Sequence, residues 1–304
     1  MEALILFNPT LILIGSLFLI FALFLFLVRR HYRAKNRRLP FTQGLLRAPG
    51  QSLLKEIDAL SEEIALYAVY LFLGPLTLYS AYISWLYFGR KPLTPFDLGL
   101  LALTTAAMIG FSLLRMAKRM PQRRRKRLGY DGEVAVGQAL NELIREGYYI
   151  YHDVPADGFN IDHVVVGPQG VFAVETKARS KPNGKNRLQD ATVEYNGRVL
   201  YFPQGTDTRT IAQAEKQAKW LSSWIGSAVG EPVAVRAIVA LPGWFVKRTS
   251  ADGISVVNPK QFGSLFKHIQ PRSLSGEAVQ RVVHQLEQKC RDVDPLPAVY
   301  ELKN

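Results

Sequence analysis

Cysteine is nearly absent from the sequence, and this scarcity limits the kinds of site that the chain can build. Cys290 is the single cysteine among 304 residues, which excludes a disulfide within the chain and a cysteine-based zinc site. The sequence also lacks a phosphate-cradling glycine-rich loop and any internal repeat. No Ser-His-Asp arrangement of the kind used in nucleophilic catalysis can be assigned. Other side chains must therefore carry any chemistry.

Net charge is nearly absent from the second part of the chain. Residues 128–304 hold 20 Lys and Arg against 19 Asp and Glu, whereas residues 1–127 hold 18 against 6. The formal net charge of +13 therefore comes almost entirely from the first part, where the basic residues flank long apolar runs. Because positive residues collect in cytoplasmic loops of membrane proteins, the high pI alone does not indicate nucleic-acid binding.

Charge is absent from long stretches of the first part as well. Residues 4–28 and 64–88 contain no charged residue, and each exceeds the length of about 20 residues that spans a bilayer as a helix. A third and shorter run lies within 96–115. The sequence therefore predicts a membrane region over residues 1–127 with three transmembrane helices, followed by a separate domain over residues 128–304.

Two basic segments, 29–38 and 115–127, set the predicted orientation. Both belong on the cytoplasmic side, which places the domain over 128–304 in the cytoplasm of a multi-pass protein of the cell (inner) membrane. The lipid bilayer is then one partner of the chain. Alternatively, the basic segments contact anionic lipid headgroups or a nucleic-acid backbone. Apolar residues between 53 and 60 recur at helical spacing, which fits an interfacial helix or an extension of the second span equally well.

The pattern after residue 127 is that of an α/β domain. Strand and helix signals alternate, and tight-turn sequences occur at Gly167–Gly170 and at Asn196-Gly197. The predicted elements are a helix at 131–147, a β-prone run at 148–154, strands at 161–166 and 171–177, a hairpin at 192–202, a helix at 210–225, strands at 233–241 and 254–258, and helices near 260–269 and 275–291. This order predicts an α/β sandwich with a mixed central β-sheet.

Two acidic residues are predicted to face each other across the first hairpin. If Val166 pairs with Val171 across the turn, Asp162 lies opposite Glu175, and directly opposed Cβ atoms are about 4.5–5.5 Å apart. Opposed like charges destabilise a strand pair, and a divalent cation between them is one reason to tolerate the repulsion. Lys177 lies two residues after Glu175 and so shares its strand face.

This set of side chains suits phosphodiester hydrolysis. Carboxylate oxygens bind Mg²⁺ (or Mn²⁺), which lowers the pKa of a bound water and polarises a phosphate, while a lysine offsets developing charge. The alternative is that Asp162 and Glu175 are unrelated surface carboxylates and Lys177 is a solvated lysine. His163 points to the opposite strand face. Lys181, Lys185 and Arg187 lie in a loop that either holds a phosphate backbone or is simply solvated.

The runs Gly132-Glu133 and Asn160–Ala178 resemble the NERD (nuclease-related) domains of the restriction-endonuclease-like PD-(D/E)xK superfamily. The resemblance implies a restriction-endonuclease-like α/β fold. It also implies a metal site of Glu133, Asp162 and Glu175, with catalytic roles for these three residues and for Lys177 and Gln213. Two positions depart from the pattern: Ile161 replaces the proline that names the superfamily, and Thr210-Ile211 replaces an Asn-Pro pair. The second departure weakens the assignment of Gln213.

The resemblance and the apolar runs together predict a membrane-anchored, Mg²⁺-dependent nuclease that hydrolyses DNA or RNA at the cytoplasmic face. Two alternatives belong to other functional classes. One is a nucleic-acid-binding or sensor module that keeps the nuclease fold without turnover, and the other is a membrane scaffold whose domain binds only protein.

Overall fold

A computed structural model describes residues 9–34, 44–89, 94–182, 184, 188–269 and 274–293. The chain forms two compact units. The first consists of Met1–Pro40 and Asp58–Arg123, and the second of Phe41–Ile57 and Arg124–Asn304. The break at Arg123 lies close to the boundary expected from the sequence. The short segment Phe41–Ile57, however, groups with the second unit and not with the apolar region that surrounds it in sequence.

The first unit is helical. Helices α1 (Pro9–Ala34), α2 (Gln51–Gly89) and α3 (Pro95–Asn141) contain the three apolar runs, and α2 and α3 continue into the second unit. By length and composition, α2 and α3 are both able to cross a membrane. The described apolar stretch of α1 is Leu19–Val28, which is shorter than a span, and residues 4–8 of the first predicted span lie outside the described residues.

Within the first unit, α2 and α3 pack closely side by side. A side chain at Gly74 would meet the Met108 methyl group, and the rings of Tyr67 and Phe111 meet edge to face with centroids 6.1 Å apart. Large apolar side chains nevertheless point away from this contact. Phe72 is 73% exposed and Leu114 is likewise 73% exposed. Such apolar exposure is typical of helices that face lipid.

Both long helices differ at their ends from the sequence-based expectation. The apolar residues between 53 and 60 extend the second predicted span, because α2 is helical from Gln51 onward. The helix predicted at 131–147 does not start there, because α3 runs unbroken from Pro95. It ends at Asn141 and is followed by a 3-10 turn over Glu142–Glu146 and by Gly147, whose φ of 86° only glycine adopts readily.

The second unit contains two β-sheets. Its strands, among the described residues, are β1 (Tyr149–Pro155), β2 (Asn160–Gly167), β3 (Gly170–Thr176), β4 (Thr192–Tyr195), β5 (Leu200–Phe202), β6 (Gly205–Asp207), β7 (Val235–Ala240), β8 (Phe245–Arg248) and β9 (Ser255–Val257). The five-stranded sheet has the order β1-β2-β3-β7-β9, with β1 to β3 antiparallel and β3, β7 and β9 parallel. The predicted mixed central sheet is thus confirmed. A four-stranded sheet has the order β6-β5-β4-β8, and the sequence did not predict it as a separate sheet. Its strands alternate along the chain with those of the larger sheet, because β4 to β6 follow β3 and β8 follows β7.

Helices cover both faces of the five-stranded sheet. Helix α4 (Arg209–Val229) and helix α6 (Gly276–Cys290) pack on one face, whereas α5 (Phe262–His268) and the last turns of α3 pack on the other. Alternate residues of β2 therefore enter different clusters. Val164 and Val166 meet Leu221 and Leu286, whereas Val165 packs on the opposite face. This alternation decides which polar side chains of β2 face α4.

Candidate functional site

The β2–β3 hairpin has the register that its tight turn predicts. Val166 pairs with Val171, and the ladder continues to His163 opposite Val174. Asp162 and Glu175 occupy the next opposed positions, beyond the last paired residues. The Asp162 carboxylate reaches across the end of the ladder, where its Oδ2 accepts a hydrogen bond of 2.6 Å from the backbone amide of Thr176. The hairpin therefore fixes one carboxylate through the opposite strand.

Helix α4 holds the side chain of Glu175. Its side chain is buried at 5% exposure, and its Oε2 accepts hydrogen bonds from Gln213 Nε2 at 2.9 Å and from Gln217 Nε2 at 2.7 Å. The two glutamines are four residues apart, so they lie on one face of the helix. The Nε2 of Gln217 also reaches the Asn160 carbonyl oxygen at 3.3 Å. Helix α4 thus ties the end of β3 to the start of β2.

Glu133 lies in the last turns of α3, which pack on the face of the five-stranded sheet opposite to α4. The helix passes so close to the residues after β3 that a side chain at Gly132 would come within 2.5 Å of the Ala178 methyl group. Glycine at this position therefore permits the approach. Glu133 is 8% exposed, and the backbone amide of Gly50 acts to lower the pKa of its carboxyl group.

Lys177 supplies the positive charge of the site. Its backbone amide donates to the Ala240 carbonyl oxygen at 2.9 Å, which keeps the chain on the sheet just beyond β3. Its ammonium group lies 3.9 Å from Asp207 Oδ2, and its charge acts to lower the pKa values of both Asp162 and Glu175. The structure therefore gathers all five residues singled out in the sequence around the same end of the sheet.

The three carboxyl groups have raised pKa values, and the main cause for each is burial. Burial, with the charges of Asp162 and Asp153, raises the pKa of Glu133 to about 9. Burial likewise raises the pKa of Glu175 to about 7, in spite of the two glutamine amides and Lys177. The pKa of Asp162 is raised well above its usual value by burial and by Glu175. The positive charge near the three carboxyl groups is thus too small to keep all of them ionised at neutral pH.

The donor set fits a hard divalent cation that keeps part of its shell for water and phosphate oxygens. Mg²⁺ is usually held in this way, by one or two carboxylates together with substrate oxygens. Asp162 and Glu175 form such a pair of opposed carboxylates. Among the residues that the structure describes, no group of three or more His, Cys, Asp or Glu is arranged so that it could hold a metal ion. The three-ligand set with Glu133 therefore stays a prediction.

Three residues near the site were not assigned to it from the sequence, although the sequence places Asp153, with His152, near a strand end without an identifiable partner. Gln217 lies one helical turn beyond Gln213 and could have been found from that spacing. Asp207 is the last residue of β6, an edge strand of the four-stranded sheet. It accepts hydrogen bonds from the amide and the hydroxyl of Thr210, each at 3.0 Å. Asp153 lies in β1, opposite Asp162, and is nearly buried at 3% exposure. No local sequence signal marks either aspartate.

The histidine next to Asp162 points away from the site, as strand alternation predicts. His163 is fully buried on the other face of the sheet, with its Nδ1 2.9 Å from His152 Nδ1. Burial lowers the pKa of both histidines, to about 4 for His152. In the loop after the site, the Lys181 ammonium lies 5.9 Å from the centre of the Trp244 ring. Lys185 and Arg187 lie outside the described residues.

Comparisons with known proteins identify the part of the chain that carries these residues. The family model described as the nuclease-related domain (NERD) matches residues 128–242. A relative described as the non-secreted LysM effector LysM19 of Penicillium expansum is 26% identical over 124 residues, which are 38% of this chain and 10% of that protein. The chain thus matches only about a tenth of that relative's length. No solved structure matches the chain. Residues 128–242, which contain all five site residues, are therefore a nuclease-related (NERD) domain.

Proposed function

We propose that the chain is a membrane-anchored, Mg²⁺-dependent nuclease that hydrolyses phosphodiester bonds of DNA or RNA at the cytoplasmic face. One observation carries the proposal. Asp162 and Glu175 are opposed at the end of the β2–β3 hairpin, and the charge of Lys177 reaches both. A nuclease-related domain makes nucleic acid the expected partner of this site.

In the proposed reaction Asp162 and Glu175 hold the cation, and Glu133 adds a third carboxylate at the edge of the cation site. The cation, when bound, lowers the pKa of a water and polarises the phosphate. Lys177 orients that water and offsets the charge that develops on the phosphate oxygens. Gln217 and Gln213 fix the Glu175 carboxylate, and the exposed Gln213 amide also lies where a substrate phosphate can reach it.

Membrane anchoring is supported by α2 and α3, which are long and apolar and carry exposed large side chains. We propose that both cross the bilayer and that the basic segments 29–38 and 115–127 lie on the cytoplasmic side. The first run, 4–28, is proposed as a third span. In this arrangement the nuclease-related domain acts on nucleic acid near the cytoplasmic surface of the membrane.

The experiment that tests the proposal uses the purified full-length chain in detergent micelles. Single- and double-stranded DNA and RNA are each incubated with it in EDTA, in Mg²⁺ and in Mn²⁺. We expect cleavage only with a divalent cation and none by Glu175→Gln. Lys177→Ala should also lose cleavage but should still bind Mn²⁺, because the lysine acts on the water or the phosphate. Metal-independent cleavage, or full cleavage by Glu175→Gln, would contradict the proposal.

A second candidate is a nucleic-acid-binding or sensor module without turnover, and one observation favours it. The Oε2 atom of Glu175 already accepts two amide hydrogen bonds, which occupy both of its lone pairs and leave only Oε1 for a cation. Binding of nucleic acid in Mg²⁺ without cleavage of any of the four substrates would select this candidate. Absence of both metal binding and nucleic-acid binding would instead support the scaffold alternative.

A further inference from the structure

Asp153 is a buried carboxylate beside the proposed cation site, and its position is unusual. The pairs on either side of it in β1, His152 with His163 and Val154 with Ile161, place it opposite Asp162. Its φ of 48° is in the left-handed region, which few non-glycine residues occupy, although aspartate and asparagine enter it more readily than others. Something must therefore hold this aspartate next to two other carboxylates.

Most of the groups that hold Asp153 come from far upstream of the nuclease-related domain. Its Oδ2 accepts hydrogen bonds from the Ser52 hydroxyl at 2.6 Å, from the Ser52 amide at 2.9 Å and from Arg47 Nη1 at 3.0 Å. Asn160 Nδ2 completes the set, because it donates to Asp153 Oδ1 at 3.1 Å and to Ser52 Oγ at 2.6 Å. Both oxygens of Asp153 are thereby held by hydrogen bonds, which give the carboxylate a fixed place beside the proposed cation site.

Arg47 is fixed at its other edge as well. Its Nε and Nη2 donate to the two carboxylate oxygens of Asp292 at 2.7 and 2.6 Å, and its side chain is only 13% exposed. A planar guanidinium held by two carboxylates in this way has a defined orientation. Arg47 therefore presents its charge to Asp153 in a fixed place.

The same segment also packs against α3 beside Glu133. Pro49 and Gly50 precede helix α2, and a side chain at Gly137 of α3 would come within 2.7 Å of the Pro49 ring. Gly50 has a φ of 69°, and a side chain there would come within 2.7 Å of the Tyr130 ring. Only glycine allows this turn to approach α3 so closely. Residues 47–52 thus hold Asp153 by hydrogen bonds and pack against α3 on both sides of Glu133, from one short stretch of chain.

We propose that Arg47 and Ser52 are positioning residues of the carboxylate site, holding Asp153 and the adjoining turn at Glu133 in the arrangement that receives the cation. The proposal rests on the proposed metal-dependent function and extends the site beyond residues 128–242, the part that the family model covers. Residues that orient metal ligands through hydrogen bonds typically change metal affinity by about 10–100-fold when they are removed.

The test is Mn²⁺ binding to the full-length chain in detergent micelles, with free Mn²⁺ measured by electron paramagnetic resonance. Ser52→Ala keeps the charge of the site and removes the hydroxyl, so we expect about a tenfold rise in the Mn²⁺ dissociation constant. Ser52→Thr restores a hydroxyl and should bind nearly as the wild type does. Ser222→Ala is the matched control, because its hydroxyl also donates a hydrogen bond within the second unit, to the Val233 carbonyl oxygen, away from the carboxylates.

The number of sites and the dissociation constant separate positioning from folding. A purely structural role of Ser52 would lower the number of Mn²⁺ sites per chain but leave the dissociation constant of the folded fraction unchanged. An unchanged dissociation constant in Ser52→Ala would thus overturn the proposal. If that variant does not fold, Arg47→Lys gives the same test, because a lysine keeps the charge but cannot bridge Asp153 and Asp292. Lack of Mn²⁺ binding by the wild type would instead overturn the proposed metal-dependent function, and this inference with it.

Discussion

The Asp162 carboxylate accepts a hydrogen bond of 2.6 Å from the backbone amide of Thr176, across the end of the β2–β3 hairpin. This contact gives Asp162 two separable roles, because the same side chain closes the hairpin and supplies charge to the site. The amide of a nearly buried residue would lose its partner if the side chain were shortened. Substitutions at this position must therefore be chosen to separate the two roles.

Asp162→Asn and Asp162→Ala should differ in stability but not in metal binding. The asparagine carbonyl can still accept from the Thr176 amide, whereas alanine leaves that amide without its partner at a cost of about 1–3 kcal/mol. Relief of like-charge repulsion would offset part of this cost, about 0.2–1 kcal/mol. We expect both variants to lose Mn²⁺ binding and only alanine to lower the free energy of unfolding clearly. Equal stability of the two in chemical denaturation would contradict the role of the bond.

Gln217 and Gln213 donate to the same oxygen of Glu175 but differ in burial, so they form a matched pair. Gln217 is 1% exposed, and its replacement by alanine removes two hydrogen bonds and leaves a cavity. We expect Gln217→Ala to lower the free energy of unfolding by about 1–3 kcal/mol. The surface residue Gln213 should change it by less than about 0.5 kcal/mol when replaced by alanine. Similar losses in denaturant titrations of the two variants would contradict this assignment.

Stability of the metal-free protein should fall as the pH rises from 7 to just below 9. Burial raises the pKa of Glu133 from 4.5 to about 9, so the folded state holds a proton that the unfolded state has already released. Stability from such a group is fully present below the unfolded pKa and is lost as the pH rises through the folded pKa. The lowered pKa values of His152 and His163 act below this window, and the raised pKa of Cys290, about 12, acts above it.

Denaturant titrations in EDTA across that pH range check the expectation, with a loss of at most about 1.4 kcal/mol per pH unit for each carboxyl group. Glu133→Gln should flatten the dependence, because the amide does not titrate. Bound Mg²⁺ should flatten it too, since a cation stabilises the charged carboxylates. A pH dependence that is unchanged in Glu133→Gln would assign the effect to other groups.

The proposed topology predicts opposite accessibility for two engineered cysteines. On a Cys290→Ser background, Pro92→Cys should react with a membrane-impermeant thiol reagent added outside intact cells, because the loop between α2 and α3 lies outside in this arrangement. Glu146→Cys, which is exposed in the second unit, should react only after the membrane is opened. Labelling of both cysteines from the same side would show that the orientation is wrong.

The site was largely predictable from sequence because its central hairpin is local. A four-residue turn fixed the register, and strand alternation then placed Asp162, Glu175 and Lys177 on one face, with His163 on the other. Gln213 followed from the family resemblance, despite Thr210-Ile211 in place of the usual pair. The contacts of Arg47 and Ser52 could not be predicted in this way. They join residues 101 to 245 positions apart, and no periodicity of the sequence encodes such pairings.

The second unit is assembled from two separate parts of the chain, Phe41–Ile57 and Arg124–Asn304, and this has a consequence for protein synthesis. Arg47 leaves the ribosome before either long apolar helix, but its partner Asp292 follows 245 residues later. Leu45, which pairs with Val293, must wait even longer. The nascent chain therefore carries Glu133, Asp162 and Glu175, together with Arg47 and Ser52, before Asp292 is available to hold the second edge of Arg47. The contacts that fix Arg47 on both of its edges can therefore form only after both long apolar helices have been made.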